Sequence, residues 1–563
     1  MFSLFCCALF LFPKTTFAAG EFITTWKTDN PGVSANNQIT IPTYGSGYNY
    51  TVSWGDGNVD LGVTGDITHT YVNVGTYVVT ITGDFPQIYF ANGGDKQKIL
   101  SVDQWGVLPW RSMENAFFGA TYLVLNAVDI PNLSGVTDMG RMFQGVTAMN
   151  QNINNWDVST VIDMNNVFNG ATSFNQPLNM WNVSNATLMY SMFNGATLFN
   201  QPLNTWDVAD VTDMSNMFFG ATSFNQPLNT WDVSNVATLN GMFGATSFNQ
   251  PLNAWDVSGA LSIAGMFYNN TSFNQPLNMW NVSNTSYMYS LFEGATSFNQ
   301  PLNNWNMAAA ISIGSMFRNA TSFNQALDTW NTGSVTNMSG MFEGATSFNQ
   351  PLISWDVSVV TDMNNMFRNA TSFNQVLDTW DTGSVTNMSG MFEGATSFNQ
   401  SLDFWDVTLV TDMSYMFQNA TAFNQDVSIW DVSSVFTMEE MFTGVTLSEQ
   451  NYSFMLMAWS ALPVQANVIF SGGNSQYCLP AVSPKSDLIS NYYWTITDGG
   501  INLSCVLVIG NLRGTFYNGN PGPGFPPPPN RIVSIEGNGI DDLYSDRRQN
   551  VFVEVSQDAR IQK

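Results

Sequence analysis

Residues 206–230 read WDVADVTDMSNMFFGATSFNQPLNT, and residues 231–254 repeat the motif as WDVSNVATLNGMFGATSFNQPLNA. The tryptophan that opens each unit recurs every 25 residues through the middle of the chain, with a single spacing of 24. A fixed period of this length is the signature of tandem structural repeats. The tryptophans of this series are Trp156, Trp181, Trp206, Trp231, Trp255, Trp280, Trp305, Trp330, Trp355, Trp380, Trp405 and Trp430.

The sequence of one unit predicts a backbone that changes direction several times. Its apolar positions follow neither a helical nor a strict strand period, and Gly, Asn, Asp and Ser separate short apolar segments. The few large side chains of one unit cannot offset the entropy lost by ordering it, so each unit must share a core with its neighbours. We therefore predict a mainly β solenoid with short helical turns over residues 101–445, about 14 units rising roughly 65–70 Å in total.

The short unit places GMFGATSF (241–248) where its predecessor has NMFFGATSF (216–224). The missing residue follows the phenylalanine of the Met-Phe pair in this alignment. Single deletions are tolerated best in loops, so the position predicts a turn.

Two sets of repeated side chains are predicted to have structural roles. The aromatic residues of the unit are expected in the shared core, and the Asn of Phe-Asn-Gln is expected to form a ladder in which each amide bonds a turn and its neighbour. The proline of Gln-Pro-Leu cannot donate in a continuous sheet, so we expect it at a strand end or bulge. The core residues are Trp206, Phe218, Trp231, Phe243, Trp355 and Phe367, and the ladder residues are Asn175, Asn200, Asn225, Asn274 and Asn299.

The aspartate after each tryptophan is the repeated residue most suited to a chemical role, such as binding a cation. Stacked carboxylates repel one another unless they are solvated, paired or bridged by a cation, so calcium is one interpretation. Asparagine interrupts the series, which favours the other interpretation, an Asx turn in which the side chain accepts nearby backbone N–H groups. The weak calcium candidates are Asp157, Asp207, Asp232, Asp356 and Asp406.

The repeat WDVSxVTDMxxMFxGATSFNQPLN resembles that of the BspA family of leucine-rich-repeat surface proteins, and the related repeat of mycoplasmal lipoprotein-associated proteins. It covers about residues 113–445. The resemblance implies a right-handed, leucine-rich-repeat-like solenoid, export, and adhesion or recognition at a surface. Met, Val and Trp stand here where a standard leucine-rich repeat has Leu.

The ends of the chain have a different composition. Residues 1–19 contain a short apolar run followed by small residues, which predicts a signal peptide. Residues 20–100 contain strand patterns at Tyr48–Ser53 and Thr76–Thr82, and the series WGDG, THTY and GTYVVTI resembles the polycystic-kidney-disease (PKD) domain, a small β-sandwich. His69, the only histidine, is expected to be a packed strand residue.

Residues 446–510 are predicted to cap the stack, with one helix starting at Ser448 and another at Ser483-Pro484. Cys478 and Cys505 are the cysteines left after the signal peptide, and in an exported chain they predict one disulfide. Residues 511–563 form a Pro-rich linker and a tail.

Composition limits the function. The net charge of −27 disfavours nucleic acid and anionic membranes, and no segment predicts membrane insertion. We expect no catalysis and no cofactor, because uniform repeats offer no distinguished cleft. The expected function is that of a monomeric, secreted or cell-surface protein that binds protein or glycan partners. A calcium-stabilised matrix component and a secreted glycosidase-type enzyme or accessory are the alternatives. Arg318, Arg368, Glu343 and Glu393 follow Met-Phe pairs and mark the expected binding face.

Overall fold

The computed structural model describes residues 20–507. The predicted signal peptide, linker and tail lie outside the described residues. The described part is mainly β, with two α-helices and one short 3-10 helix among residues 20–507. In this part no helix combines the length and apolarity needed to cross a bilayer.

The N-terminal region forms two sheets around an aromatic core. One sheet has six strands in the order β4-β3-β6-β1-β7-β8, and β2 pairs with β5 in the other. Trp26, Tyr50 and Trp54 are buried between them. The strands are β1 (Phe22–Lys27), β2 (Gln38–Ile41), β3 (Asn49–Ser53), β4 (Val59–Val63), β5 (Ile67–Thr70), β6 (Thr76–Asp84), β7 (Ile99–Gln104) and β8 (Val124–Leu125).

The larger sheet runs across the predicted domain boundary at residue 100. β7 pairs antiparallel with β1 and parallel with β8, which belongs to the first repeat-like segment. Met113 then donates its N–H to the carbonyl of Asp138 at 2.9 Å. The N-terminal sheet and the repeats are therefore joined by one continuous series of backbone hydrogen bonds.

The repeat units lie one against the next in parallel register. The bridges connect positions one unit apart: Asp138, Asp163, Leu188, Asp213, Thr238, Ser262, Tyr287, Ser312, Asn337, Asp362, Asn387, Asp412 and Thr437. Neighbouring amides extend the pairing, as where Met214 and Phe218 donate to the carbonyls of Thr238 and Met242 at 3.1 and 3.0 Å. The bridged segment is thus Val-Thr-Asp-Met.

This placement corrects the expectation for the proline. In the units that contain a Gln-Pro-Leu sequence, the segment Phe-Asn-Gln-Pro-Leu-Asn carries no bridge or strand, so Pro227 and its equivalents interrupt no backbone ladder. Proline is tolerated here because the units are connected along this segment through Asn side chains and not by hydrogen bonds between backbone groups.

The C-terminal region continues the stack and covers its end. Met438 bridges Phe470 in β9 (Ile469–Ser471), and β10 (Thr495–Thr497) pairs with β9 in parallel. The helix α1 (Glu449–Ser460) begins after Ser448, whose side chain accepts the N–H of Asn451, as predicted.

The second helix differs from the prediction. The helix α2 (Val482–Tyr492) begins directly after the 3-10 helix Leu479–Ala481, so Ala481 occupies the cap position and Ser483 lies within the first turn. The predicted disulfide between Cys478 and Cys505 is confirmed, with the two Cα atoms 5.2 Å apart. It ties the start of the 3-10 helix to the end of the described chain.

Candidate functional site

The aromatic residues of successive units form parallel rows in the core. Phe218 stacks on Phe224 of its own unit at 3.9 Å between ring centroids and on Phe243 of the next at 5.9 Å. The rings of Trp206 and Trp231 lie 6.4 Å apart and within 1° of parallel. Trp355 and Phe367, at the equivalent positions, are likewise buried. Each aromatic ring therefore contacts its own unit and the adjacent ones.

The repeat tryptophans from Trp181 onward also make a polar contact that the sequence did not predict. The indole N–H of Trp231 donates to the carbonyl of Leu203 in the preceding unit at 3.0 Å. The same bond recurs from Trp181 to Trp430. A buried indole N–H requires an acceptor, and this carbonyl supplies one to each repeat tryptophan from Trp181 to Trp430.

The asparagine ladder occupies the segment that lacks backbone bridges. The Oδ1 atom of Asn225 accepts two hydrogen bonds from the next unit, from the N–H of Asn249 at 2.9 Å and from the Nε2–H of Gln250 at 3.1 Å. The arrangement repeats without a gap from Asn150 to Asn424, whose Oδ1 atom accepts from Ser448 N–H and Asn451 Nδ2–H. Asn175, Asn200, Asn274 and Asn299 all belong to this ladder.

The aspartates after tryptophan adopt the Asx-turn geometry. An Oδ1 atom accepts the N–H two residues on, at 3.0–3.2 Å in Asp157, Asp207, Asp232, Asp356 and Asp406. Hydrogen bonds from the following serine lower the pKa of Asp157, Asp232 and Asp356. Within residues 20–507 no group of three or more Asp, Glu, His or Cys side chains is arranged to hold a metal ion.

A second aspartate column has the same geometry. Asp213, at the bridged position, accepts the N–H of Ser215 at 2.8 Å, and Asp138, Asp163, Asp362 and Asp412 do the same. The signal for it was the Asp-x-Ser or Asp-x-Asn spacing, which matches that of the column after tryptophan. Burial and the neighbouring Asp163 raise the pKa of Asp138.

The charged residues after the Met-Phe pair bind one another across units. Arg318 Nε lies 3.1 Å from Glu343, and Arg368 Nε lies 3.0 Å from Glu393. Each arginine also lies 3.7 Å from the glutamate of the preceding unit, Glu293 or Glu343. The arginines are about 40% exposed, but their charges already have partners. This row is a ladder of ion pairs rather than a set of free cations.

His69 lies far from the repeats in the N-terminal sheets. Its Nε2 is 2.9 Å from Asp56, and its ring stacks on buried Trp54 at 4.8 Å between centroids. The imidazole is thus packed in β5 between a carboxylate and an indole.

The outward positions of the bridged segments differ from unit to unit. The residue before the bridged position is Thr in many units, but it is Leu261 in one and Ile311 in another. The bridged position itself changes from Asp213 to Ser262 and Tyr287. The backbone of these segments is therefore the same in each unit, whereas the side chains that it exposes differ.

A cluster of polar side chains links the elements of the C-terminal region to one another. Asp498, almost fully buried, accepts the hydroxyl of Tyr452 at 2.7 Å and the ammonium of Lys485 at 2.8 Å. Lys485 also lies over the ring of Tyr477 at 4.7 Å from its centroid. The cluster joins α1, α2 and the segment after β10.

These features define a tandem-repeat protein whose units share one core and carry varied residues on their outward side. The chain belongs to the family described as "Mycoplasma protein of unknown function, DUF285", whose model matches residues 111–229, 199–305, 244–354, 286–378 and 346–455. The predicted mycoplasma-type repeat is thereby confirmed. Comparisons with the curated proteins and with solved structures gave no match.

Proposed function

We propose that this protein is exported and acts on or near a cell surface, where the outward side of its repeats binds protein or glycan partners. The observation that carries the proposal is the contrast between interior and exterior. The Trp, Phe and Asn positions hardly change between units, whereas bridged positions carry residues as different as Asp213, Ser262 and Tyr287. A scaffold that needs only to be stable has no requirement for this outward variety.

The finer architecture that accompanies this proposal is a right-handed, leucine-rich-repeat-like solenoid of the BspA type, about 14 units long. The parallel bridges and the shared aromatic rows support it. The two-sheet N-terminal region, with buried Trp54 and Tyr71, supports a PKD-like module that acts as a spacer or a contact surface.

Export is supported by the disulfide between Cys478 and Cys505, because such bonds persist in oxidising compartments. The test is fractionation of cells that express the full-length chain, with free-thiol labelling of the recovered protein. Chain recovered from the medium or the cell surface, with both cysteines oxidised, supports export. Protein confined to the cytoplasm with free thiols contradicts it.

Recognition is tested with the purified chain on arrays of glycans and extracellular proteins, in calcium and in chelator. Saturable binding that is independent of calcium supports the proposal. Assembly that requires calcium and increases with concentration, without ligand binding, indicates instead the matrix role. Turnover in a hydrolase screen, abolished by mutating one carboxylate pair, would indicate the enzymatic alternative.

A further inference from the structure

Three consecutive units carry exposed aromatic or aliphatic side chains at the outward positions of their bridged segments. Their bridged segments read ALSIAG (260–265), TSYMYS (285–290) and AISIGS (310–315), without a charged residue. The bridged positions are Ser262, Tyr287 and Ser312, where many other units have Asp or Asn. We call the outward residues Leu261, Ser286, Tyr287, Tyr289, Ile311 and Ser312 the tyrosine patch.

The two tyrosines stand on the same side of one unit. Tyr287 and Tyr289 are 46% and 47% exposed, while Met288 between them is fully buried. This alternation directs both rings outward. Leu261 and Ile311, in the units before and after, are 57% and 41% exposed and flank the rings.

A second pair of aromatic rings spans the short unit. Gly265 donates its N–H to the carbonyl of Tyr289, and a side chain at Gly265 would contact Tyr268. The ring of Tyr268 stacks with Phe219 at 6.4 Å, across the short unit between them. In that unit Gly244 leaves room for the Phe219 ring, because a Cβ there would lie 2.5 Å from it.

The hydroxyls of the patch decide what kind of ligand fits. Among the described residues, no hydrogen bond is made by the hydroxyls of Ser286, Ser312, Tyr287 or Tyr289. A wholly apolar partner would bury these groups without partners, at a cost in binding free energy. An anionic ligand would meet a chain of net charge −27, and a cationic one would find no carboxylate in the three segments.

We propose that the tyrosine patch binds a neutral oligosaccharide, with pyranose faces on Tyr287 and Tyr289 and sugar hydroxyls bonded to the flanking serines. The proposal rests on the recognition function proposed above and names the class of its ligand. Flat rings beside free hydroxyls match the alternating apolar and polar surface of a sugar. The patch spans two unit-to-unit steps, about 10 Å, which accommodates a few sugar rings.

The test is affinity gel electrophoresis of the full chain in gels containing dextran, laminarin, mannan or galactan, with dextran sulfate as the charged counterpart of dextran. The site variant is Tyr287→Ser with Tyr289→Ala, because Ser262 and Ala264 already occupy these positions in the preceding unit. The matched control is Phe404→Thr, which replaces a 58% exposed aromatic outside the patch by the Thr379 of the preceding unit.

We expect at least one neutral polysaccharide to retard the wild-type chain and the Phe404→Thr control equally. In the site variant, loss of two ring contacts should weaken binding by at least about tenfold. Retardation should persist in about 0.5 M salt, since a neutral ligand is not screened. Melting curves of the variant verify that it is folded.

Failure of the site and failure of the proposed function give different results. If the site variant binds as well as wild type, or if only dextran sulfate retards the chain, the assignment of a neutral sugar to the patch is wrong, while recognition by another face survives. If no neutral polysaccharide binds but the array identifies a protein ligand, the sugar proposal is also wrong. If neither gels nor arrays reveal a ligand, both proposals fail.

Discussion

The deletion in the 24-residue unit provides the sharpest test of how the units fit together. In the structure, Ala245 takes the positive-φ position that Gly220 holds one unit earlier, and Thr246 takes the buried place of Ala221. The missing residue therefore belongs to the turn just before Phe248, rather than directly after Phe243 as the alignment indicated. The predicted location in a turn is retained, but the position within it is corrected.

Asn270, in the following unit, compensates for the shortened turn. It is fully buried where other units have alanine, and its Nδ2 group donates to the carbonyl of Phe248 at 2.9 Å and contacts Thr246 Oγ1 at 3.3 Å. Its Oδ1 atom accepts the N–H of Ser272 and Phe273 at 3.2 and 3.1 Å. One side chain thus bonds groups of the shortened unit and backbone amides of its own unit.

We predict that Asn270→Ala destabilises the array locally by about 2–4 kcal/mol, because it leaves buried partners unpaired and a small void. Inserting a glycine after Phe243, to give MFGGATSF, should also destabilise, since the restored turn has no room for Asn270. The two changes together should recover most of the loss, because they recreate an ordinary pair of units.

The assay is urea denaturation combined with amide hydrogen exchange over residues 240–275. The expected result is reduced exchange protection there in each single variant and restored protection in the double variant. Ala295→Asn is the control, because it places the same side chain after a unit of normal length and should destabilise without rescue by the insertion. Additive effects of the two changes would refute the compensation.

Three further predictions follow from the contacts. Trp231→Phe should lower the free energy of unfolding by about 1–3 kcal/mol, because it leaves the buried carbonyl of Leu203 without its donor; a denaturation midpoint equal to that of wild type would contradict this. The pKa of Asp232 is lowered, so its ionised form stabilises the fold above the unfolded pKa near 3.9. Melting temperatures measured from pH 8 to 3 should show this contribution constant above that pH and declining as the pH falls below it towards the lowered folded pKa. Reducing the bond between Cys478 and Cys505 should destabilise the C-terminal region by about 3–4 kcal/mol, seen as faster proteolysis of that region, while exchange in the central units stays unchanged.

Much of the repeat could be predicted because periodicity constrains the side chains strongly. If equivalent residues of successive units stack, an Asn that recurs in each unit is placed to bond the next unit. Aromatic rings that recur in each unit are likewise placed in one shared core. Asn225 and Phe218 occupy these places. The preference for Asx turns over calcium followed from the asparagines in the column, and Asp157 accepts the N–H of Ser159.

The remaining features depend on contacts that a pattern within one unit does not specify. The indole of Trp231 bonds a carbonyl 28 residues earlier, a separation that no local motif encodes. The backbone bridges lie at Asp213 and its equivalents and not beside the proline. Along the segment that contains the proline, hydrogen bonds to the Asn side chains connect the units instead. Predicting the ion-pair ladder through Arg318 would have required knowing that adjacent units place opposite charges within reach, whereas the sequence indicated only that these residues mark an exposed face.

The unbroken run of bridges from Asp138 to β10 has a mechanical consequence. Because every unit is held mainly by the one before and the one after, tension applied at the two ends should detach units successively from an end, instead of rupturing the molecule at once. Each detached unit of 25 residues would lengthen the chain by about 80–90 Å at roughly 3.3–3.6 Å per residue. A tether of this kind would absorb a sudden pull in small, repeated increments and keep its remaining units intact.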